Sequence, residues 1–181
     1  DAMYLGIVAF ANEDKKYNSQ PLFVWKKRTD IIGKSGDVTI RKFRRSDLTA
    51  LSNIYGNIEN MRNIGDGKVK DKKDVEKLLK KYIDDEVHED FGLKMYKEEY
   101  VFHAVTVKGD LVGVVGMYPG SRALRTEGKT LDRIVIDIKF RGKGYARKAT
   151  GIFRNVYNYK QIHSLVKANN KQSIALSKEY E

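Results

Sequence analysis

The chain of 181 residues is strongly basic: 35 lysines and arginines oppose 24 aspartates and glutamates, for a formal net charge of +11. It has no cysteine, which excludes disulfide bonds, thiolate catalysis and cysteine-ligated zinc. The length predicts one domain with at most a small extension. No apolar run approaches the roughly 20 residues that span a bilayer, and the first ten residues lack a basic signal-peptide start, so we expect a cytoplasmic protein. The charge favours an anionic partner, although a lysine-rich solvated surface gives the same balance.

Two strands and a linker are predicted at the beginning of the chain. Residues 4–10 read YLGIVAF and residues 22–27 read LFVWKK, and a polar loop separates them. Both runs are rich in β-branched and aromatic residues, which predicts a β-hairpin. Residues 31–37 contain two glycines and are predicted as a linker. The predicted organisation is therefore a hairpin with a linker over 1–37 and a single core domain over 38–181.

One strand and two helices follow. Residues 38–43, VTIRKF, alternate as a strand does, and Ser46 is a suitable N-cap for the first helix. The apolar stripe of that helix consists of Leu48, Leu51, Ile54 and Tyr55. Apolar residues at helical spacing predict an amphipathic helix over 71–84. The charged residues 85–99 are predicted as loop or frayed helix.

A β-hairpin is predicted in the middle of the chain. Residues 100–107 and 111–118 are rich in β-branched and aromatic residues, and Lys108-Gly109-Asp110 provides the turn. An exposed loop over 119–130 precedes a strand over 131–140.

The last part alternates helix and strand. Apolar residues at helical spacing predict a helix from Tyr145, followed by a strand over 163–168 and a helix over 171–179. This order predicts an α/β protein with one strand–helix–strand unit.

A basic, glycine-rich turn connects the strand that ends near Phe140 to the helix that begins at Tyr145. Its sequence is Arg141-Gly142-Lys143-Gly144. The first turn of a helix offers unpaired N–H groups, and glycines let a ligand approach the backbone. The turn is therefore predicted to bind phosphate, although an ordinary strand–helix connection uses the same residues. The spacing fits neither a P-loop nor a dinucleotide fingerprint.

Three segments, in the expected order over roughly 38–178, resemble the Gcn5-related N-acetyltransferase (GNAT) superfamily. Arg141-x-x-Gly144-x-Ala146 fits the acyl-CoA signature Arg/Gln-x-x-Gly-x-Gly/Ala, with Ile138 where proline is common. Residues 39–65, with a Ser-Asp helix start and Met-Arg at 61–62, resemble the ribosomal-protein and N-terminal acetyltransferase branch. Residues 166–178 resemble the Asn-x-x-Ser segment of that branch.

The resemblance implies a fold and a cosubstrate. The fold is a mixed, mostly antiparallel central sheet flanked by helices, in which strands 131–140 and 163–168 splay around acetyl-CoA. The glycine turn would hold the pyrophosphate, the strand edge would pair with the pantetheine amides, and an asparagine would touch the pantetheine arm or order the splayed strand. The implied cofactor-binding residues are Ile136, Asp137, Ile138, Arg141, Gly142, Lys143, Gly144, Tyr145, Ala146, Asn170 and Ser173.

The resemblance is weakest at the catalytic residues. Where many family members have a proton-donating tyrosine this chain has Ser177, and Leu165 replaces a common glutamate. Ser177 and Tyr180 are therefore the candidate proton donors, although Ser177 also fits a solvent-facing helix residue. Asp132 could relay a proton or be a strand-edge charge, and His103 is predicted to be structural. The histidines lack metal-ligand spacing, so no metal is predicted.

The first residues resemble a part of the family that is expected at the end. GNAT chains continue after the last helix with Leu-Gly-Phe and a closing β-hairpin, whereas this sequence ends there. Its YLGI and LFVWKK runs resemble those parts, and placing Met3 after Ser177 puts Gly6 at the family spacing from Asn170. We hypothesise a circular permutation in which residues 3–28 supply the last two strands. A tandem neighbour, a strand-swapped dimer and a simple hairpin remain alternatives.

The sequence thus predicts an acetyl-CoA-dependent transferase that acetylates a primary amine on a protein N-terminus, a lysine, a polyamine or a small molecule. The alternative is a non-catalytic basic module that binds acyl-CoA or nucleic acid. An acidic or nucleic-acid-associated partner would suit the charge, and a monomer or a homodimer is expected, with no membrane association.

Overall fold

The computed structural model describes residues 2–8, 22–27, 30–83, 89–90, 93–94, 100–119, 130–157 and 162–179. The chain divides into two compact units, Asp1–Asp30 and Ile31–Glu181. Within the described ranges, no helix is both long and apolar enough to cross a membrane.

The first unit is a β-hairpin. Strands β1 (Ala2–Val8) and β2 (Leu22–Lys27) pair antiparallel, with Ala2 opposite Lys27 and Val8 opposite Leu22. The two strands form a sheet of their own. The predicted hairpin is confirmed, while the circular permutation stays a prediction.

The second unit contains a five-stranded sheet and five α-helices within its described residues. Its elements are β3 (Ile31–Ser35), β4 (Val38–Arg41), α1 (Leu48–Tyr55), α2 (Ile58–Met61), α3 (Lys72–Ile83), β5 (Glu89–Asp90), β6 (Leu93–Lys94), β7 (Val101–Val107), β8 (Asp110–Pro119), β9 (Thr130–Ile136), α4 (Tyr145–Tyr157) and α5 (Lys171–Lys178). The sheet order is β3-β4-β7-β8-β9, and each neighbouring pair is antiparallel. Strands β5 and β6 pair only with each other. The predicted antiparallel sheet with flanking helices is confirmed.

Each face of the sheet has its own core. Alternate residues of a strand point to opposite faces, so Val114 and Val115 of β8 belong to different clusters. One face packs against α4 through Ala149, Ile152 and Phe153, which recur at helical spacing. The other face packs against α1 and α3 and is rich in aromatic residues. The apolar stripes predicted for α1, α3 and α4 are therefore confirmed in outline.

Residues 31–37 are not a linker, so that prediction was wrong. Residues 31–35 form β3, which pairs with β4, and Gly36 has a φ of 57° in the turn between them. Gly33 lies against Ile152 of α4 so closely that an added Cβ would collide with that side chain. The glycine that suggested a flexible linker permits the close approach of a helix to a strand.

Ser46 is not an N-cap either. It lies inside a 3₁₀ turn, Arg45–Asp47, which precedes α1. The carboxylate of Asp47 accepts a hydrogen bond from the Arg44 N–H at 2.8 Å and two from the Arg41 guanidinium at 2.8 and 2.7 Å. This bidentate, buried pair connects the end of β4 to the residue that precedes α1, and the Asp47 side chain makes no cap hydrogen bond to that helix.

The strands predicted over 131–140 and 163–168 are shorter than expected. Strand β9 ends at Ile136, and residues 138–140 form a 3₁₀ turn because the Asp137 carboxylate accepts a hydrogen bond from the Lys139 N–H at 3.3 Å. In 163–168 only His163 has strand character, through a backbone bond from the Asp132 N–H at 3.0 Å. Beyond that bond, no ladder joins the described residues of the two segments. A strand requires such a ladder, so residues 164–168 form no strand with the part of the chain that the structure describes.

Candidate active site

Strand β9 lies at one edge of the sheet, and alternate backbone N–H groups of this strand point away from β8. The Asp137 N–H donates to the Val112 carbonyl on β8 at 2.9 Å, whereas the Asp132 N–H points the other way, to His163. Amide directions alternate along an antiparallel strand, so Ile134 and Ile136 direct their N–H groups to the same outer side as Asp132. We call the stretch from Arg133 to Ile136 the open edge.

Residues 162–170 face this edge but are held elsewhere. Leu165, a large apolar residue, is 55% exposed. The Lys167 ammonium donates to the Arg62 carbonyl after α2 at 2.8 Å. The segment is thus tied to β9 at one end and to the end of α2 at the other. A ligand with amide groups can add to the open edge as an extended peptide would.

Asn60 of α2 connects the helices to the end of β9. Its side chain is 2% exposed and makes four hydrogen bonds. The amide nitrogen donates to the Ile54 carbonyl at 3.1 Å and to the Asp137 carboxylate at 3.3 Å. The amide oxygen accepts from the Ile138 N–H at 2.8 Å and from the Arg141 guanidinium at 3.0 Å.

Asn60 has no signal in the sequence. Its hydrogen-bond partners on the turn lie 77 to 81 residues away in sequence, so no local pattern signals them. A buried amide with all of its donors and acceptors satisfied specifies one geometry, which here is the geometry of the turn after β9.

The side chain of Arg141 stabilises the glycine turn through hydrogen bonds. Its Nε donates to the Ile136 carbonyl at 2.9 Å, in addition to the bond with Asn60. Burial lowers the pKa of this guanidinium, and Asp137 opposes that effect. The sequence assigned Arg141 to the phosphate-binding turn, and the structure shows that its side chain braces the backbone of that turn.

The glycine turn offers open space in front of unpaired N–H groups. Gly142 and Gly144 have φ angles of 78° and 75°, and a Cβ added at either would meet nothing within 4 Å. The first helical bond of α4 runs from the Lys148 N–H to the Gly144 carbonyl at 3.1 Å. The N–H groups of Tyr145 and Ala146 precede it and have no helical acceptor. These groups, with the positive end of the helix dipole, fit a pyrophosphate.

Helix α5 begins after Asn170, which is its N-cap. The side-chain Oδ1 of Asn170 accepts from the Ser173 N–H at 3.3 Å, and the side-chain Nδ2 donates to the Ser173 hydroxyl at 2.9 Å. The two residues predicted to touch the cosubstrate thus bind each other and start α5. Near the other end, Glu179 accepts two hydrogen bonds from Arg147 at 2.7 and 2.5 Å, which ties α5 to the first turn of α4.

The candidate proton donors and relays are only partly placed. Ser177 is half-buried on α5, and Tyr180 lies outside the described residues. Burial raises the pKa of Asp132, although the Ser164 hydroxyl at 2.8 Å and Arg154 at 3.7 Å oppose this.

His103 is buried on β7 and faces α4. It lies 2.5 Å from the Tyr157 hydroxyl, and the two rings stack at 5.6 Å. These contacts agree with the structural role predicted for it.

A separate groove lies between β3 and α4. Its volume is about 530 Å³. It is lined by Gly33, Lys34, Ser35, Arg147, Lys148, Gly151, Ile152, Asn155 and Val156. Lys148 is paired with Asp37 at 2.7 Å. The groove contains no part of the open edge or of the glycine turn, so we do not assign it to the acetyl donor.

The family model described as acetyltransferase (GNAT) domain matches residues 37–180. The chain belongs to the GNAT acetyltransferase family. The match confirms the predicted family and the predicted enzyme class, with acetyl-CoA as the acetyl donor. None of the curated proteins compared with this chain matches it.

Solved structures of GNAT proteins share the fold. A GNAT-family acetyltransferase from Bacillus anthracis is 19% identical, with a TM-score of 0.60 over 81% of this chain and 80% of its own. RimL, a ribosomal L7/L12 alpha-N-protein acetyltransferase in complex with CoA, is 14% identical, with a TM-score of 0.64 over 82% and 81%. The spermidine N-acetyltransferase from Vibrio cholerae, in complex with CoA and spermine, is 20% identical, with a TM-score of 0.61 over 80% of each chain.

Proposed function

We propose that this GNAT protein transfers the acetyl group of acetyl-CoA directly to a primary amine. The observation that carries the proposal is the open edge of β9, which continues into a glycine turn with open space before the N-terminus of α4. An extended arm with amide groups suits the first feature, and a pyrophosphate suits the second. Acetyl-CoA contains both, in this order, behind its thioester.

Each part of the site has a proposed role. Tyr145 and Ala146 donate their N–H groups to the pyrophosphate, and Lys143 adds a positive charge. The backbone of Ile136 and its neighbours holds the pantetheine arm. When bound, acetyl-CoA supplies the thioester that a neutral amine attacks. A strand N–H near Ile136 then donates to the oxygen that gains negative charge, which stabilises the transition state.

The leaving sulfur requires a proton. We propose that Ser177 or Tyr180 provides it, Ser177 through its hydroxyl or through a water molecule. Ser177 lies on α5, two residues before Glu179, which accepts two hydrogen bonds from Arg147 in the first turn of α4. This contact between the two helices supports a position of Ser177 near the glycine turn. Asp132 is half-buried beside the open edge and is the residue that we propose for relaying a proton.

The acceptor is a primary amine on a protein N-terminus, a lysine, a polyamine or a small molecule. The names of two structural neighbours support this range, since one acetylates a ribosomal protein N-terminus and the other spermidine. We propose that the residues that choose among these amines lie within 56–70 and 85–99.

The test is thiol release from acetyl-CoA with a panel of amines that contains an N-terminal peptide, a lysine peptide, spermidine and small amines. We expect at least one amine to accelerate release and acetyl-CoA to raise the melting temperature, because a ligand that binds only the native state stabilises it. A protein that acetyl-CoA does not stabilise and that releases no thiol would contradict the proposal. Stabilisation without release would instead indicate the non-catalytic module.

We further propose that residues 3–28 supply the last two GNAT strands as a circular permutation. The exposed Leu165, in a segment with a strand partner at one residue only, supports it. Because the chain has no cysteine, Leu165→Cys can be combined with a single cysteine at Leu5 or at Ile7 and oxidised. A cross-link within one chain is expected for one pair. A cross-link only between chains would indicate a swapped dimer, and none would contradict both arrangements.

A further inference from the structure

Arg133 is the first residue of the open edge, and its side chain lies on the face of β9 opposite α4. Its side chain is half-buried. Its guanidinium carbon lies 4.7 Å from the ring centre of Tyr118 and 5.9 Å from that of Phe102. These rings belong to an aromatic layer on the α1–α3 face. The layer consists of Phe43, Tyr55, Tyr82, Tyr100, Phe102 and Tyr118.

No carboxylate pairs with Arg133 among the residues that the structure describes. A half-buried guanidinium without a counter-charge is costly, because desolvation is not repaid by an ion pair. Contact with aromatic faces offsets only a part of such a cost. By contrast, Arg41 in the same unit is buried against Asp47.

The ring faces of Tyr118 and Phe102, rather than a carboxylate, lie against the guanidinium. The hydroxyls of Tyr55 and Tyr82 lie 3.1 Å apart. Burial by itself would lower the pKa of Arg133, but interaction with the oxygens of Tyr55, Tyr82 and Tyr118 raises it. A guanidinium that no described carboxylate neutralises offers paired N–H donors, which match an anion with several acceptor oxygens.

The position of this group relates it to the reaction. Arg133 precedes Ile134, whose N–H lies on the open edge, and consecutive Cα atoms are about 3.8 Å apart. The glycine turn lies beyond the other end of the same strand, so the acetyl donor does not need Arg133 for its phosphates. An anionic group beside Arg133 therefore belongs to the other substrate.

We propose that Arg133 binds an anionic group, a carboxylate or a phosphate, on the amine acceptor. This rests on the proposed function, because it assumes that an amine reacts at the open edge. A guanidinium binds both groups with paired hydrogen bonds, so the shared chemistry is a planar or tetrahedral oxyanion. Arg133 then determines specificity, since it favours amines that carry such a group over amines that do not.

The test compares matched amines. Lysine and cadaverine differ by a carboxylate, and phosphoethanolamine and ethanolamine differ by a phosphate, so the two pairs distinguish the two anions. For wild type we expect kcat/KM to favour the anionic member of at least one pair, and the preference to shrink as salt screens the interaction.

The variant Arg133→Met should then lower kcat/KM for that anionic amine roughly 10–100-fold, since every 1.4 kcal/mol is about tenfold, and change the neutral amine less than twofold. Arg133→Lys keeps the charge but loses the paired N–H donors. Its kcat/KM for the anionic amine should therefore lie between the values for wild type and for Arg133→Met. Arg45→Met removes an exposed arginine away from the site and should leave the preference unchanged.

Three results would overturn the proposal. The first is a wild-type enzyme that acetylates the neutral amines as well as the anionic ones, which leaves the proposed function intact. The second is an equal loss for both members of a pair in Arg133→Met, which indicates a structural role only. The third is the absence of transfer to any amine, which overturns the proposed function as well. If Arg133→Met does not fold, the wild-type preference and its salt dependence still decide.

Discussion

The two segments that face each other at the site are built differently. The end of β9 and the turn after it are fixed by side chains, because Asn60, Asp137 and Arg141 satisfy the backbone groups of that turn. Residues 162–170 have a single backbone bond to β9, at His163, and depend on the contact of Lys167 with Arg62 and on the cap of α5.

This difference explains how a sheet protein can accommodate a long cosubstrate. If 163–168 paired fully with β9, its amides would occupy the groups that we propose for the pantetheine arm. One segment is held rigidly and presents donors, and the other is held only at its ends, which leaves those donors available. Breaking either arrangement should therefore affect binding of the acetyl donor in a distinct way.

The largest effect is expected at Gly144, on the rigid side. Gly144→Val places a branched side chain in the space before the N–H groups of α4 and should weaken CoA binding roughly 100-fold, or about 2.7 kcal/mol. It also strains a backbone with a φ of 75°, which costs about 1–2 kcal/mol.

Gly109→Val is the matched control for Gly144→Val. Gly109 has a φ of 96° and equally open surroundings, but it lies in the turn between β7 and β8. Calorimetry should show weakened CoA binding for Gly144→Val only, while unfolding shows a similar loss of stability for both. Equal CoA affinities would refute the role of the glycine turn.

The next largest effect on CoA binding is expected at Asn60, whose buried side chain hydrogen-bonds to the turn but is not proposed to contact CoA. Asn60→Ala leaves buried partners unsatisfied and should cost about 2–3 kcal/mol of unfolding free energy. Because the turn loses its support, CoA affinity should also fall roughly 10-fold. Asn57→Ala removes the N-cap of the same helix, which costs about 1 kcal/mol, and should spare CoA affinity. A stability loss at Asn60 without weaker CoA binding would restrict it to a role in folding.

On the loosely held side, the effect should be on the chemical step. If Ser177 or Tyr180 protonates the leaving sulfur, Ser177→Ala or Tyr180→Phe should lower kcat at least about 10-fold and leave CoA affinity unchanged. Ser173→Ala weakens the cap of α5 and controls for disturbance of the helix. Rates for both variants within twofold of wild type would exclude both residues.

The smallest effect is expected from the pH dependence of Asp132, where the two segments join. Burial raises its pKa, so its protonated form favours folding below the ordinary value of 3.8, and that contribution is lost as pH rises through the raised pKa. Asp132→Asn should therefore gain stability relative to wild type over this range, by about 1 kcal/mol. Denaturation at pH 3.5 to 7.5 measures the difference. If wild type instead becomes more stable than Asp132→Asn as the pH rises, the interaction of Asp132 with Arg154 outweighs the effect of burial.

Local patterns explain what the sequence predicted well. The glycine turn, the strand before it and α4 are encoded within some 25 residues, and the alternation of β7 and β8 is equally local. The same holds for the apolar stripes of α1 and α3. In each of these, propensity and burial favour the same element, so the pattern alone was sufficient.

Long-range contacts explain what the sequence did not reveal. The sequence predicts a linker at Gly33 because the contact of this residue with Ile152 of α4 has no local signal. Asn60 and Arg133 gave no local signal, since their partners come from other elements. Residues 163–168 have the composition of a strand, and only the absence of a ladder along β9 distinguishes them from one.

The most direct test is a crystal structure with bound CoA. The account predicts that the pyrophosphate oxygens lie within hydrogen-bond distance of the Tyr145 and Ala146 N–H groups, and that the pantetheine amides pair with the open edge at Ile134 and Ile136. A pyrophosphate bound in the groove between β3 and α4, beside Lys34 and Lys148, would contradict it.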